Sequence, residues 1–247
     1  MAYGRLAADF ALPAPPGEEV FLESGIWEVP AGVTSVDLFL VGAGGGGSAS
    51  GGGGGYTTTL KNIAVEPSQE WTVIVGSKGL GGVGEAGTNG GQSKFELGEV
   101  GYTADGGKAS PFTGTFGGGD GGSGGGASDN TENSAGDGGS DGGNGGNNTS
   151  NTRPGGIGQG TTTRAFEEET GTLFAAGGGG GQNGTGTAGA GGEGGGGAGG
   201  KVPNVGTAAE PSTGSGGGGG RNALDQWAGA DGADGIVIVR WGGYTGE

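Results

Sequence analysis

Apolar and polar residues alternate in several short runs, and these runs lie towards the two ends of the sequence. In residues 36–41, for example, Val36, Leu38 and Leu40 fall on one face of an extended chain. β-Branched and aromatic residues are frequent in the runs, and no helical period of any length is present. The pattern predicts β-strands at residues 20–22, 25–30, 36–41, 56–65, 71–75, 94–97, 100–104 and 235–241.

Glycine dominates the stretch between these ends. It accounts for 76 of the 247 residues, and in residues 105–234 it occurs in runs interrupted by compact inserts. Collagen is excluded because the chain has only 9 prolines and no strict Gly-X-Y period. Several runs instead repeat Gly-Gly-x, as in residues 118–126, 142–147 and 190–195.

A Gly-Gly-x repeat suits the polyproline II helix, which has three residues per turn. Every x then lies on one solvated edge, and bare backbones on the other edges approach closely enough to bond to one another. Pure glycine runs, at residues 177–181 and 216–220, suit the enclosed middle of a bundle. The alternative is a set of disordered loops, because fixing a backbone residue costs ~1–2 kcal/mol. A bundle is favoured because a structureless loop of this length would be anomalous.

We therefore predict an all-β fold with extensive irregular and polyglycine II structure and essentially no α-helix. Residues 20–104 and 235–243 would form a small antiparallel β-sandwich base closed by the C-terminal strand. Residues 105–234 would form a bundle of packed polyglycine II helices with inserted loops. Residues 20–247 are then a single glycine-rich domain, preceded by an N-terminal attachment or connector segment at residues 1–19. Residues 44–55 should leave the sheet and return, with the reversal at residues 48–50.

The charge of the chain narrows the choice of partners. The net charge is −16, and the 10 Lys and Arg residues are spread thinly, which argues against a nucleic-acid-binding surface. No apolar run approaches the ~20 residues that span a bilayer, so we expect no membrane insertion. The first ten residues lack the pattern of a secretion signal, which favours a product made in the cytoplasm.

No enzymatic chemistry is expected from this composition. The chain has no His and no Cys, which excludes Ser-His-Asp and Cys-His catalysis and the usual zinc sites. Residues 82–87 match Gly-x-Gly-x-x-Gly, but the strand–helix context of a dinucleotide site is missing. We predict no catalytic residue, no cofactor and no metal. Calcium binding by the Asp-rich turns stays open, although their spacing fits neither common calcium loop.

Aromatic residues in the inserts are the candidates for binding. Loops on a rigid scaffold commonly carry binding, and an aromatic ring at a loop tip stacks on a sugar or fills a protein pocket. The alternative, that the rings plug the ends of the bundle, stays open. Trp27, Trp71 and Trp241 are instead expected to pack among the strands. The candidate receptor-binding residues are Phe112, Phe116, Phe166, Phe174 and Trp227.

Several segments match a known family in order: SGIWEVPAGVTSVDLFLVGAGGGG at residues 24–47, WTVIVGSKGLGG at residues 71–82, and DGADGIVIVRW at residues 231–241. Over about residues 20–241 the chain resembles the glycine-rich domain at the ends of bacteriophage tail-fibre proteins and in related bacterial surface proteins. Its glycine architecture is also similar to that of polyglycine-sandwich phage adhesins. Long fibre proteins carry a large N-terminal shaft, whereas here about 19 residues precede the domain, which favours a stand-alone tip or decoration protein.

The resemblance implies a virion protein, made in the host cytoplasm and displayed on the particle, that binds a bacterial surface glycan or protein. Its N-terminal segment would dock on other virion proteins, with Leu6, Phe10 and Leu12 as candidate attachment residues. A homotrimer, common among fibre proteins, and a monomer closed within one chain both stay open. The alternative function is a purely structural capsid or tail decoration, or a spacer, without a receptor. A third, weaker alternative is the binding of ice or a mineral by a flat glycine face.

Overall fold

The structure, a computed structural model, describes residues 14–112, 117–128, 135–139, 142–147, 164–183, 186–221, 224 and 226–243. The described residues contain no α-helix, and the all-β prediction is confirmed. The regular elements are β1 (Gly17–Phe21), β2 (Gly25–Glu28), β3 (Ser35–Val41), β4 (Thr57–Ala64), β5 (Glu70–Ile74), β6 (Ser93–Leu97), β7 (Val100–Ala104), β8 (Ile236–Trp241) and one short 3-10 helix at Ala165–Glu167.

The strands form two antiparallel sheets, and the last strand lies inside one of them. Sheet A has the order β1-β8-β3-β4, and sheet B has the order β2-β5-β6-β7. β8 pairs with β1 as far as Gly17↔Trp241 and with β3 as far as Val41↔Ile236. The C-terminal strand therefore closes sheet A, as the sequence predicts. It also places residues 236–241 beside residues 17–21.

β1 begins earlier than the sequence predicts. Its first residue is Gly17, so residues 17–19 of the predicted connector belong to sheet A. The alternation missed them because β1 is an edge strand with mostly exposed side chains, held by backbone pairing to β8. The chain just before it is also fixed, since Trp241 Nε1 donates a hydrogen bond to Pro15 O (3.0 Å).

Aromatic rings fill the core between the two sheets. The ring centroids of Trp71 and Phe95 are 4.7 Å apart, and those of Trp27 and Phe95 are 5.8 Å apart. Trp241 reaches the same cluster, with its ring 6.0 Å from that of Trp27. The prediction that Trp27, Trp71 and Trp241 pack among the strands is confirmed.

β3 is buried on both faces, which explains its apolar run. Leu38 and Leu40 face sheet B and belong to the core between the sheets. Phe39 and Val41 point to the opposite face of sheet A and form a second apolar cluster there, in which Phe166 takes part. A strand covered on both faces needs apolar residues at consecutive positions, whereas a strand covered on one face needs them only at every second position.

Glycine-rich chain leaves sheet A after β3 and returns before β4. The outgoing and returning segments run antiparallel, because Gly42 N donates to Tyr56 O (2.9 Å) and Gly45 N donates to Gly53 O (2.9 Å). The chain reverses at residues 48–50, all of which are fully buried. The predicted reversal at these residues is confirmed.

Hydrogen bonds from the returning segment, residues 51–56, reach three neighbours in turn. Each neighbour is met again at every third residue, the spacing expected for a chain with three residues per turn. The donor–acceptor pairs are Gly51–Gly126 and Gly54–Ser123, Gly52–Gly217 and Gly55–Gly214, and Gly53–Lys108 and Tyr56–Asp105. Close packing of bare backbone on several sides therefore replaces side-chain packing in this region.

Backbone atoms fill the space that side chains would need. A Cβ atom added at Gly53 would collide with the carbonyl oxygen of Asp120. The pure glycine runs at residues 177–181 and 216–220 are buried throughout, as predicted. Of the x positions, Asp120 and Asn144 are exposed as predicted, but Ser123 is buried. Ser123 lies against the returning segment, where its carbonyl accepts from Gly54 N (2.8 Å).

Strands and glycine segments share one axis, and this gives the molecule two ends. Residues 76–82 follow the outgoing segment in parallel, since Gly79 N donates to Gly44 O (2.8 Å) and Gly82 N donates to Gly47 O (2.9 Å). We call the end around residues 48–50 the distal pole. The proximal pole is the opposite end of the sandwich, where Gly17 pairs with Trp241.

Candidate functional site

Turns from distant parts of the sequence meet at the distal pole. Each is held by a hydrogen bond to the buried reversal at residues 48–50. The bonds are Ser48 Oγ to Glu85 O (2.7 Å), Ser128 N to Ser50 Oγ (2.9 Å), Gly181 N to Ala49 O (3.0 Å) and Gly220 N to Ser48 O (2.9 Å). Four residues that are far apart in the chain are thereby placed side by side at one end: Glu85, Ser128, Gly181 and Gly220.

We call residues 220, 221, 224 and 226–228 the distal hairpin, because an antiparallel bridge closes them. Arg221 pairs with Trp227 across it, and Ala228 N donates to Gly220 O (2.8 Å) at its base. Its second side is bound to the neighbouring turn, because Gly84 N donates to Trp227 O (2.8 Å). The Arg221 guanidinium lies 5.0 Å from the centroid of the Trp227 ring, a cation–π distance that orients the indole.

Exposed apolar side chains surround this hairpin. Leu224 in the hairpin is 79% exposed, Val83 on the neighbouring turn is 56% exposed, and Val205, whose backbone adjoins Gly220, is 48% exposed. Together with the half-buried Trp227 they are called the distal patch below. Exposed aliphatic residues also occur on the sandwich, at Val20, Leu22, Ile26 and Val100.

Two cations adjoin the distal patch in a chain of net charge −16. Lys201 is exposed at a turn next to Val205, where its carbonyl accepts from Asn204 N (2.8 Å). Arg221 lies over Trp227. The described residues of this surface therefore offer apolar contact area, one indole and two positive charges, a combination suited to binding.

An ion pair fixes the segment that leads from the hairpin back to β8. Lys78 Nζ lies 2.9 Å from Asp231 Oδ2, and Gly81 N donates to Asp231 Oδ1 (3.0 Å). The Gly81 N–H and, secondarily, the Lys78 ammonium hold the pKa of the Asp231 carboxyl below its usual value. The hydrogen bond to Asp231 raises the pKa of Lys78. Both charged forms are therefore favoured by the fold.

The predicted binding residues fall in different parts of the molecule. Trp227 lies at the distal pole. Phe112 is half-buried and follows Ser110, whose N–H donates to Gly46 O (3.0 Å) just before the reversal. Phe116 lies outside the described residues, as do the predicted attachment residues Leu6, Phe10 and Leu12.

Phe166 and Phe174 lie against sheet A and are not at the distal pole. They are 3% and 9% exposed, and their rings lie 6.1 and 5.4 Å from that of Phe39. The Arg240 guanidinium covers Phe166 at 3.5 Å and binds Glu168 (2.7 Å). Their burial argues against direct receptor contact. The two rings are buried because they cover the apolar face of sheet A that Phe39 and Val41 of β3 form.

Sequence reasoning missed Leu224, Val83 and Val205. Each is an isolated aliphatic residue among glycines and polar residues, so no periodicity marks it. The one available signal was the insert Arg221–Asn–Ala–Leu–Asp–Gln–Trp227, which places a leucine midway between an arginine and a tryptophan.

The remaining features of the described residues carry little chemistry. An open groove of about 490 Å³ is lined mainly by glycine backbone, with two carboxylates, Glu193 and Glu210. No group of three or more His, Cys, Asp or Glu residues in the described ranges is placed to hold a metal ion. Within the same ranges, no helix has the length and apolar character needed to cross a membrane.

Comparison with known proteins identifies a family. A family model described as a glycine-rich domain matches residues 21–242, which is nearly the whole chain. Among curated proteins, none matches the sequence significantly.

Proposed function

The chain belongs to the glycine-rich domain family, and on that basis we propose that it is a bacteriophage virion protein, a tail-fibre tip adhesin. It binds a glycan or protein on the bacterial surface through the loops of the distal pole. It is made in the host cytoplasm and displayed on the particle. Its N-terminal segment, with Leu6, Phe10 and Leu12, docks on other virion proteins.

The observation that carries this proposal is that the entry into β1, at residues 15–17, and the distal patch lie at opposite poles. The chain enters at the proximal pole, where Pro15 and Gly17 lie against Trp241. The hairpin with Leu224 and Trp227 lies at the distal pole, beyond the glycine segments. A protein anchored through residues before β1 would therefore present the distal patch away from its anchor.

The distal patch also has the composition of a binding surface. Tryptophan and arginine are enriched among the residues that contribute most to binding energy. Arg221 and Trp227 are held in place by each other and by the backbone of the next turn, so little side-chain freedom is lost when a partner binds.

The glycine segments serve as the scaffold of this surface. We infer that they are polyglycine II helices, because their hydrogen bonds return to the same neighbour at every third residue. Dense bonding between backbones keeps the turns at fixed positions, which is what a binding surface made of loops requires.

Competition for adsorption tests the proposal. The full-length chain is added to host bacteria before the phage that encodes it, and the fraction of phage adsorbed is measured. Wild-type protein should reduce adsorption, and Leu224→Ala or Trp227→Ala should weaken this effect by about tenfold, the loss expected for a residue central to binding. Val100→Ala, at an aliphatic position on the sandwich that is also exposed, is the control and should compete like wild type.

Two results would contradict the adhesin. One is wild-type protein that never competes; the other is an equal loss in the Val100 and Leu224 variants. The first result would favour the structural alternative, a capsid or tail decoration or spacer. In that case deletion of residues 1–13 should abolish incorporation into the particle, while exchange of the distal hairpin should leave host range unchanged.

A further inference from the structure

We infer that the molecule is built to carry tension between its two poles, with β1 as a clamp loaded in shear. β1 runs from the proximal pole towards the glycine segments, and β8 runs in the opposite direction beside it, through five residue pairs from Gly17↔Trp241 to Phe21↔Val237. The inference goes beyond the proposed function, because it concerns the path of force and does not depend on the partner.

The direction of loading decides how the β1–β8 pair resists. If force enters before Gly17 and at the distal hairpin, β1 is pulled from its proximal end and β8 from its distal end. Hydrogen bonds between antiparallel strands lie perpendicular to the strands, so all five pairs share this load. If force enters at the two chain ends, both strands are pulled from the proximal end, and the pairs separate one at a time from Gly17↔Trp241.

The segment between the hairpin and β8 is loaded in the same way. Gly229 N donates to Gly82 O (3.0 Å), Gly232 N to Gly79 O (2.9 Å) and Gly235 N to Gly76 O (2.9 Å). These bonds cross between antiparallel segments that lie along the axis between the poles. Asp231 is also joined to Lys78 and Gly81 of the neighbouring segment. Axial pulling therefore loads these contacts together as well.

The glycine composition serves this role. Residues 51–55 bond to three neighbouring segments and have no side chains to hold them apart, which gives many lateral hydrogen bonds per length of chain. A single bond of this kind contributes little net free energy, so mechanical strength depends on breaking many of them at once. Loading between the poles meets that condition, and loading between the chain ends does not.

Single-molecule force spectroscopy on the full chain tests the inference. The protein has no cysteine, so Leu224→Cys supplies a unique handle at an exposed distal position. One set of molecules is pulled between the N-terminus and residue 224, and the other between the N-terminus and the C-terminus. Thermal unfolding of Leu224→Cys should match that of wild type, which shows that the handle leaves the fold intact.

The force that first breaks the fold should be higher between the N-terminus and residue 224 by at least about twofold, since the strand bonds are then broken together and not in sequence. Equal forces in the two geometries, or a higher force between the chain ends, would overturn the inference. Neither measurement involves a receptor, so failure here is distinguishable from failure of the proposed adhesin.

Discussion

The sandwich and the glycine segments are stabilised in opposite ways within one chain. In the sandwich, large rings such as Phe95 and Trp27 fill the space between two sheets, and the free energy comes mainly from apolar burial. In the glycine segments there is almost no apolar side chain to bury. Backbone N–H and C=O groups bond between neighbouring segments instead, and residues 51–56 bond to three neighbours in turn.

This difference means that the two regions tolerate opposite changes. A well-packed apolar core loses stability when side-chain volume is removed, because a cavity remains. A region of bare backbone in contact has no cavity to open and loses stability when volume is added. The following variants test this contrast.

The largest effect is expected from added volume in a glycine segment. In Gly53→Val the side chain would collide with the backbone of Gly119 and Asp120, which other segments hold in place. We expect a loss of at least about 4 kcal/mol in the free energy of unfolding, or no native protein. Urea unfolding measures it. Gly25→Val in β2, where an added Cβ meets no atom within 4 Å, should change stability by less than about 0.5 kcal/mol. Equal tolerance at both sites would contradict backbone packing.

A loss of volume in the sandwich should come next. Phe95→Ala removes a fully buried ring that contacts both Trp27 and Trp71, and should cost about 3–5 kcal/mol. Ile26→Ala removes an exposed side chain and is the control, with a change near zero. A small effect of Phe95→Ala would mean that the glycine segments, and not the core, dominate stability.

The junction between the regions should give an intermediate effect. Ser93 Oγ accepts from Gly76 N (3.0 Å) and donates to Val41 O (2.6 Å), both buried at the point where strands pass into glycine segments. Ser93→Ala removes both bonds, takes from the buried Gly76 N–H the acceptor it has here, and should cost about 1–3 kcal/mol. The exposed Ser77→Ala is the control. If the two variants unfold alike, the two regions are not coupled through this hydroxyl.

The smallest effect concerns the ion pair beside the glycine segments. Asp231→Asn keeps an acceptor for Gly81 N but removes the charge next to Lys78, and should cost about 0.5–1 kcal/mol at neutral pH after solvent screening. Because the pKa of Asp231 is lowered in the folded state, its contribution to the free energy of unfolding is fully present above pH 3.8. This contribution is lost as pH falls through the pKa of the folded state.

The raised pKa of Lys78 sets the upper pH limit of the ion pair. The contribution of Lys78 to the free energy of unfolding is fully present below pH 10.5 and is lost as pH rises through the pKa of the folded state. The difference between wild type and Asp231→Asn, measured by urea unfolding across pH, should therefore be flat between these limits and shrink beyond both. A difference that does not depend on pH would show that the charge has no role.

Much of the sandwich could be predicted from the sequence because its signals are local. The apolar alternation around Leu38 and Leu40 and the run before Trp241 mark strands without knowledge of their partners. The start of β1 could not be found in this way, since pairing to β8 and not side-chain burial holds Gly17 in the sheet. The reversal at residues 48–50 could be predicted because these three residues are the only non-glycine residues between the runs at residues 44–47 and 51–55.

The candidate site was harder to predict because the inserts look alike in sequence. Phe166, Phe174 and Trp227 all occur as aromatic residues in glycine-rich surroundings. The first two pack against the outer face of sheet A, and the third lies at the opposite end of the glycine segments. Which pole an insert reaches depends on how many times the chain reverses before it, and no local pattern records that number.

The sequence by itself determined that the chain is all-β and that its last strand must pair with strands near its start, and it favoured glycine packed as backbone over disordered loops. These follow from residue type, because alternation, β-branching and the absence of Cβ act locally. Only the tertiary structure decided which inserts meet around Ser48 and which rings serve as a cover for Phe39. Those outcomes rest on hydrogen bonds and contacts between segments far apart in the chain, where one glycine run is chemically the same as the next and position alone tells them apart.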